Sequence, residues 1–182
     1  MNRRKLTSIV LTMGATVLLV LALVPGASAG ALKAKILLVQ APIPKTLSEK
    51  GLIAFARRNA AKLLRESSDA EVKKRKWTAD MVVLFNAPIN DMEFQVLFYD
   101  VQDGPRRFVV DMTMMLNDRK QKTFVQKLVL PRPSFKPNRR MELVATVRRA
   151  EVGRVTFNVV GQEIQRSGEV SFSDSEAKGG SH

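Results

Sequence analysis

From Ala79 onward apolar side chains recur at every second position, and no other feature of this chain limits its fold so tightly. Successive side chains of a strand point to opposite faces, so a period of two builds an element with one apolar and one polar face. The pattern predicts strands at 80–87, 92–101, 106–116, 122–130, 140–149, 153–161 and 168–173. In the third of these, Phe108, Val110, Met112, Met114 and Leu116 fall on one face, and Arg107, Val109, Asp111, Thr113 and Met115 on the other. Turn-forming residues separate the strands: Asn90-Asp91, Asp103-Gly104-Pro105, Asn117-Asp118 and Glu151-Val152-Gly153. Pro131, Pro133 and Pro137 stiffen one longer connection. Short strands with frequent turns predict an antiparallel β-sandwich or barrel. The fold class expected is mainly β (α+β), a sandwich of about seven strands.

Residues 30–77 read differently. Lys33 to Gln40 forms a short strand ended by Pro42 and Pro44. Thr46-Leu47-Ser48-Glu49 has the form of a capping box, with a Thr hydroxyl for the free amides and a Glu three residues on. The helix it opens is expected to run from Leu47 to about Ser67. Leu52, Ile53, Ala56, Ala60, Leu63 and Leu64 fall on one face, and Lys50, Arg57, Arg58, Lys62 and Arg65 on the other. Lys73, Lys74, Arg75 and Lys76 follow, in a basic run ending at the single Trp77. This strand and helix are expected to pack with 78–173 as one globular domain. Residues 174–182 read as a disordered polar tail.

The first 29 residues have the three parts of a secretory signal. Arg3, Arg4 and Lys5 form a positive head, Ile9 to Val24 an apolar run, and Ala27-Ser28-Ala29 a small-residue peptidase site. As a helix the apolar run spans about 24 Å at ~1.5 Å per residue, short of the ~30 Å hydrocarbon core. Cleavage after Ala29 is therefore expected rather than retention as an anchor. Cysteine is absent, which excludes a disulfide scaffold and a thiol-linked lipid. No asparagine stands in an Asn-x-Ser/Thr site. Both absences favour a bacterial envelope, periplasmic or secreted, over an oxidising eukaryotic compartment.

Removing residues 1–29 takes away three bases and no acid, so the net charge falls only from +13 to +10. The excess is concentrated: residues 30–77 carry 12 Lys/Arg against 4 Asp/Glu, residues 78–182 carry 15 against 13. Such a basic face draws in polyanions through its long-range field. A second basic cluster comprises Arg119, Lys120, Lys122 and Lys127, with Arg132, Lys136, Arg139 and Arg140 after it. Basic residues also protect exposed strand edges from stray pairing.

Chemistry at neutral pH usually needs a group that titrates there. The only histidine is His182, and there is no thiol, nucleophile elbow, phosphate loop or dinucleotide fingerprint. The expectation is a non-enzymatic chain without cofactor or metal. Asp100 and Asp103 flank a turn and are expected to build it rather than bind calcium. Met112 and Met114 share a face; core packing is expected to outweigh Cu(I) binding there. Phe94, Phe98, Phe108 and Phe124 read as core positions rather than stacking platforms, which argues against nucleic acid as a partner. The leading expectation is an exported envelope interaction or accessory protein. Its basic helix face would contact a protein or another anionic envelope component, with peripheral membrane contact included. The alternatives are an assembly or secretion subunit that pairs through a strand edge, 122–130 or 168–173, and a carbohydrate-binding or copper-handling exported protein.

Overall fold

A computed structural model describes residues 31–163. The expected signal segment with Ala27 and Ala29, the strand expected at 168–173 and the expected tail 174–182 lie outside the described residues. From Leu32 the chain forms β1 (Ala34–Val39), α1 (Glu49–Arg58), β2 (Leu63–Arg65), a 3₁₀ turn at Val72–Lys74, β3 (Lys76–Phe85), β4 (Glu93–Asp100), β5 (Arg107–Met115), β6 (Thr123–Pro131), β7 (Arg139–Val147) and β8 (Ala150–Val160). Two sheets result: three strands in the order β1-β3-β6, and five in the order β2-β8-β7-β4-β5. All pairings are antiparallel except that of β2 with β8. The fold is a mainly β sandwich with one α-helix.

The period-two pattern explains the core. Met81, Val83 and Phe85 of β3 and Phe124, Leu128 and Leu130 of β6 meet Phe94, Val96 and Phe98 of β4, Leu143 of β7 and Phe157 of β8 in one buried cluster. Phe94 sits edge-on to both Phe85 and Phe124, with centroid distances of 5.4 and 5.0 Å, which joins the sheets by a favoured aromatic geometry. A smaller cluster lies on the outer face of the three-stranded sheet. There Ala56 of α1 packs with Leu37, Val39 and Val82, flanked by Phe55 and Leu84. The helix therefore covers the β1–β3 part of that face.

Where β1 passes β8 the sheets come very close. A Cβ added to Gly153 would lie 2.2 Å from the Ala34 carbonyl oxygen, so only glycine fits. The side formed by β5 and β6 is looser. Gln126 sits between Phe124 and Leu128 on the inward face yet is exposed, and Val110 and Met112 are only half-buried.

Local details depart from the pattern. The helix stops at Arg58, because Asn59 leaves helical geometry and both its side-chain and main-chain N–H groups donate to the Phe55 carbonyl. Its N-cap is Ser48, whose hydroxyl accepts from the Gly51 N–H; Thr46 of the expected box is not the cap. Lys62 and Arg65 thus lie beyond the helix, and Leu63–Arg65 is the short strand β2. The Gln40 side chain holds β2 in place, bonding both the N–H and carbonyl of Arg65 and the Thr78 carbonyl. In β5 the register to β4 shifts beside Phe98 and Tyr99, so that Phe98 pairs with Val110 and Tyr99 with Phe108. This bulge moves Phe108 to the outer face, where it is 54 % exposed and packs edge-on against Tyr99. The turn expected at Glu151-Val152-Gly153 falls instead at Arg148-Arg149, both with positive φ, and β8 starts at Ala150.

Candidate anionic-partner surface

Lys50, Arg57 and Arg58 share the outward side of α1, opposite buried Ala56, because positions seven and eight apart return to one face of a helix. All three are exposed. At the helix N-terminus, Glu49 turns back to the sheet and accepts a 2.6 Å hydrogen bond from the Thr123 hydroxyl of β6. That bond seats the first turn of α1 beside the β5–β6 connection. A groove of about 570 Å³ runs between them, lined by Glu49, Leu52, Lys120, Lys122 and Val125, among others. Its apolar residues are Leu52 and Val125, and its cations are Lys120 and Lys122. The loop is built by its own polar groups: Asp118 accepts from the Lys120 N–H, and Gln121 bonds Asn117 and Thr123. Lys127 is exposed on β6, on the same outer face as half-exposed Val125 and Val129.

The Glu49–Thr123 bond thus brings the start of α1 beside the loop that carries Lys120 and Lys122, while Lys50 stands on the outward side of the same helical turn. Among the described residues no carboxylate lies within ion-pair distance of Lys50, Arg57, Arg58, Lys62, Arg65, Lys73, Lys76, Arg119, Lys120, Lys122 or Lys127.

Other candidates are separated from that groove or already engaged. Lys62 and Arg65 follow the chain across to the five-stranded sheet. Lys74 pairs with Glu71 at 3.0 Å on the surface, a contact of little energetic weight. Arg75 is half-buried; its guanidinium reaches Glu66, Gln162 and the Asp69 carbonyl. Glu66 also binds Arg132, which lies over the ring of buried Trp77, and the Trp77 indole donates to the Val160 carbonyl. Burial opposes ionisation of Glu66, but the Gln162 amide and the Arg132 and Arg75 guanidiniums outweigh it and hold the carboxyl below its ordinary range. Arg75 and Arg132 therefore pin the chain around Trp77.

A second charged lock lies at the same end of the sandwich. Asp100, only 5 % exposed, accepts from Arg107, Arg139 and the Gln102 amide, and Arg139 also binds Asp103. Desolvation pushes the Asp100 carboxyl upward, yet Arg139, the Gln102 amide and Arg107 bring it below the usual carboxylate range. Asp100 and Asp103, the two carboxylates that flank this turn, are thus both occupied by guanidiniums. Among the described residues no three metal-ligating side chains cluster. Met112 and Met114 do share the inward face, where they pack on the core. No described helix is long and apolar enough to cross a membrane.

Compared with protein-family models and with the sequences of curated proteins, the chain matches none. The functional reading therefore rests on the residues themselves.

The sequence pattern missed the Glu66–Arg132 and Asp100–Arg139 locks, whose partners stand 66 and 39 residues apart. It also missed the groove, because nothing local links Glu49 to Thr123. The one local signal was Asn59, a poor helix-interior residue inside an otherwise periodic segment.

Proposed function

We propose that the chain is an exported, non-enzymatic protein of a bacterial envelope, periplasmic or secreted, that binds an anionic partner through the surface around the α1–β6 groove. The observation that carries this reading is that Lys120 and Lys122 line this groove beside the first turn of α1, whose outward side carries Lys50, and that among the described residues no carboxylate lies within ion-pair distance of the three. Charges left unpaired on a folded surface interact at long range and are screened by salt. Arg57 and Arg58 extend the same basic side along the helix. A phosphate-bearing lipid surface or an acidic protein fits this chemistry, and peripheral membrane contact is one form of it. The signal-like order of residues 1–29, with a positive head, an apolar run and Ala27-Ser28-Ala29, supports the compartment, and the missing catalytic groups support the non-enzymatic role.

The test is flotation with phosphatidylglycerol-containing vesicles, alongside pull-down on an acidic protein resin, at low and high salt. Binding to at least one is expected to weaken several-fold as salt rises. It should be lost when Lys50, Lys120 and Lys122 are reversed to Glu. Binding that ignores salt, or survives the triple reversal, would overturn the reading.

A second reading, strand addition at a sheet edge, is supported by the sheet order. Among the described residues β6 has only β3 beside it, and β5 has only β4.

A further inference from the structure

Among the described residues the outer edge of β5 is unpaired, long and poorly protected. Natural edges are blunted by proline, lysine, bulges or short length. β5 has nine residues, and its single bulge lies near its start. Beyond it, Val110 to Met115 contain no proline, glycine or lysine, and Met115 is 62 % exposed. The Leu116 N–H bonds the Met92 carbonyl of the neighbouring chain segment. Main-chain groups alternate sides along a strand, so those of Asp111, Thr113 and Met115 point away from β4 to the open edge. Three donors and three acceptors are thereby presented in strand geometry.

Beside the start of this edge lies a groove of about 310 Å³ between β5 and the proline-rich connection 131–137. Phe108, Val109, Pro133 and Phe135 supply its apolar surface, and Arg107 and Lys136 stand at it as cations. Arg107 spends one nitrogen on Asp100 and is otherwise 62 % exposed; Lys136 has no carboxylate partner among the described residues. Arg106 precedes them, and Asp111 is the only acid on the strand.

We propose that β5 accepts an extended segment of a partner protein, apolar at alternate positions and acidic at the end that lies against Arg107 and Lys136. The edge supplies main-chain pairing, the groove takes an apolar side chain, and the two cations set polarity. A second copy is the poorer occupant, because a chain of net charge +13, or +10 without residues 1–29, meets itself with like charge and would bring one Asp111 toward another in a centred antiparallel pairing. The inference rests on the edge-pairing reading and names its strand and ligand.

The probe is a fluorescent peptide of about ten residues, roughly the length of a strand. It alternates Val and Thr and ends in Asp-Glu-Asp; a control peptide ends in Lys-Lys-Lys. Fluorescence anisotropy with the full chain is expected to show the acidic peptide binding at least tenfold more tightly than the control. Thr113→Pro removes an outward N–H without touching the ladder to β4, so it should weaken binding at least tenfold while leaving the protein folded. Val129→Pro does the same to the outward edge of β6 and should have no effect. Arg107→Glu should abolish the preference for the acidic end, and it provides a readout if Thr113→Pro fails to fold. Loss of binding with Val129→Pro alone would keep edge pairing and overturn the choice of β5. No binding, or binding indifferent to both prolines, would overturn both. Amides of Asp111, Thr113 and Met115 already protected from hydrogen exchange in the isolated monomer, or a dimer dissociated by Thr113→Pro, would also overturn the proposal, since the edge would then be filled by this chain itself.

Discussion

Arg148 and Arg149 sit at the tip of the β7–β8 hairpin with φ of 51° and 68°. Two consecutive positive φ values twist a two-residue loop to match its flanking strands, a geometry that favours Asn-Gly and disfavours a long side chain with a Cβ. Arg148 has compensation: its guanidinium bonds Asp91 and the Asn90 carbonyl. Arg149 has none among the described residues, so Arg149→Gly is expected to stabilise the protein by about 0.5–1 kcal/mol, partly offset by the freer unfolded chain. A higher urea midpoint at unchanged slope would verify it. Asp100 carries the opposite lesson. Its carboxyl is held below its ordinary range by Arg139, the Gln102 amide and Arg107, against the cost of burial. A depressed folded-state pKa contributes stability that is complete above the unfolded value near 4 and is lost as pH falls through the lower folded value. Asp100→Asn should therefore cost about 3 kcal/mol at pH 7, and much less at a pH below both values. Urea melts across the acid range measure this; a penalty that does not shrink on acidification would contradict it.

At the scale of elements, the strands were legible and their ends were not. β3 to β8 follow from alternation because each keeps one face toward the shared core, even where β3 and β7 bury residues of the other face as well, whereas bulges and turns depend on partners. Phe108 looked like a core residue until the register shift beside Phe98 and Tyr99 turned it outward. The hairpin tip at Arg148-Arg149 contains no turn-forming residue, so composition pointed to Gly153, which is needed for another purpose. The helix shows the same limit. Its apolar spacing continues through Leu63 and Leu64, but Asn59 ends it and the chain uses Leu64 in the sandwich core as part of β2. The basic residues Lys62 and Arg65 went with it. At the other end two hydroxyl residues compete for the cap, and the structure selects Ser48. Ser48→Ala should destabilise by about 1 kcal/mol and Thr46→Ala by far less. Thermal melts of both variants decide it.

The whole molecule is asymmetric across its two long sides, and this organises its surfaces. On the β1–β8 side the sheets touch through backbone at Gly153 and Ala34. On the other side, among the described residues, β5 and β6 end the sheets as free edges. Both candidate grooves lie toward that second side, one between α1 and β6 and one between β5 and the proline-rich connection. A binding surface can remain unfilled there because the structure is fastened elsewhere. Gly153→Ala tests that division. Its new methyl would fall on the Ala34 carbonyl, a backbone atom that cannot swing aside, so the sheets must separate locally. The cost should be about 1–3 kcal/mol, as for overpacking in a close-packed interior. By contrast Met112→Leu, on the half-buried open side, should cost less than about 1 kcal/mol. Hydrogen exchange adds the spatial readout: Gly153→Ala should speed exchange in β1 and β8 first, and leave the protection of β4 against β5 near its original level. Equal penalties for the two substitutions, with uniform loss of protection, would mean that the sandwich is fastened evenly and that its open side is not set apart for a partner.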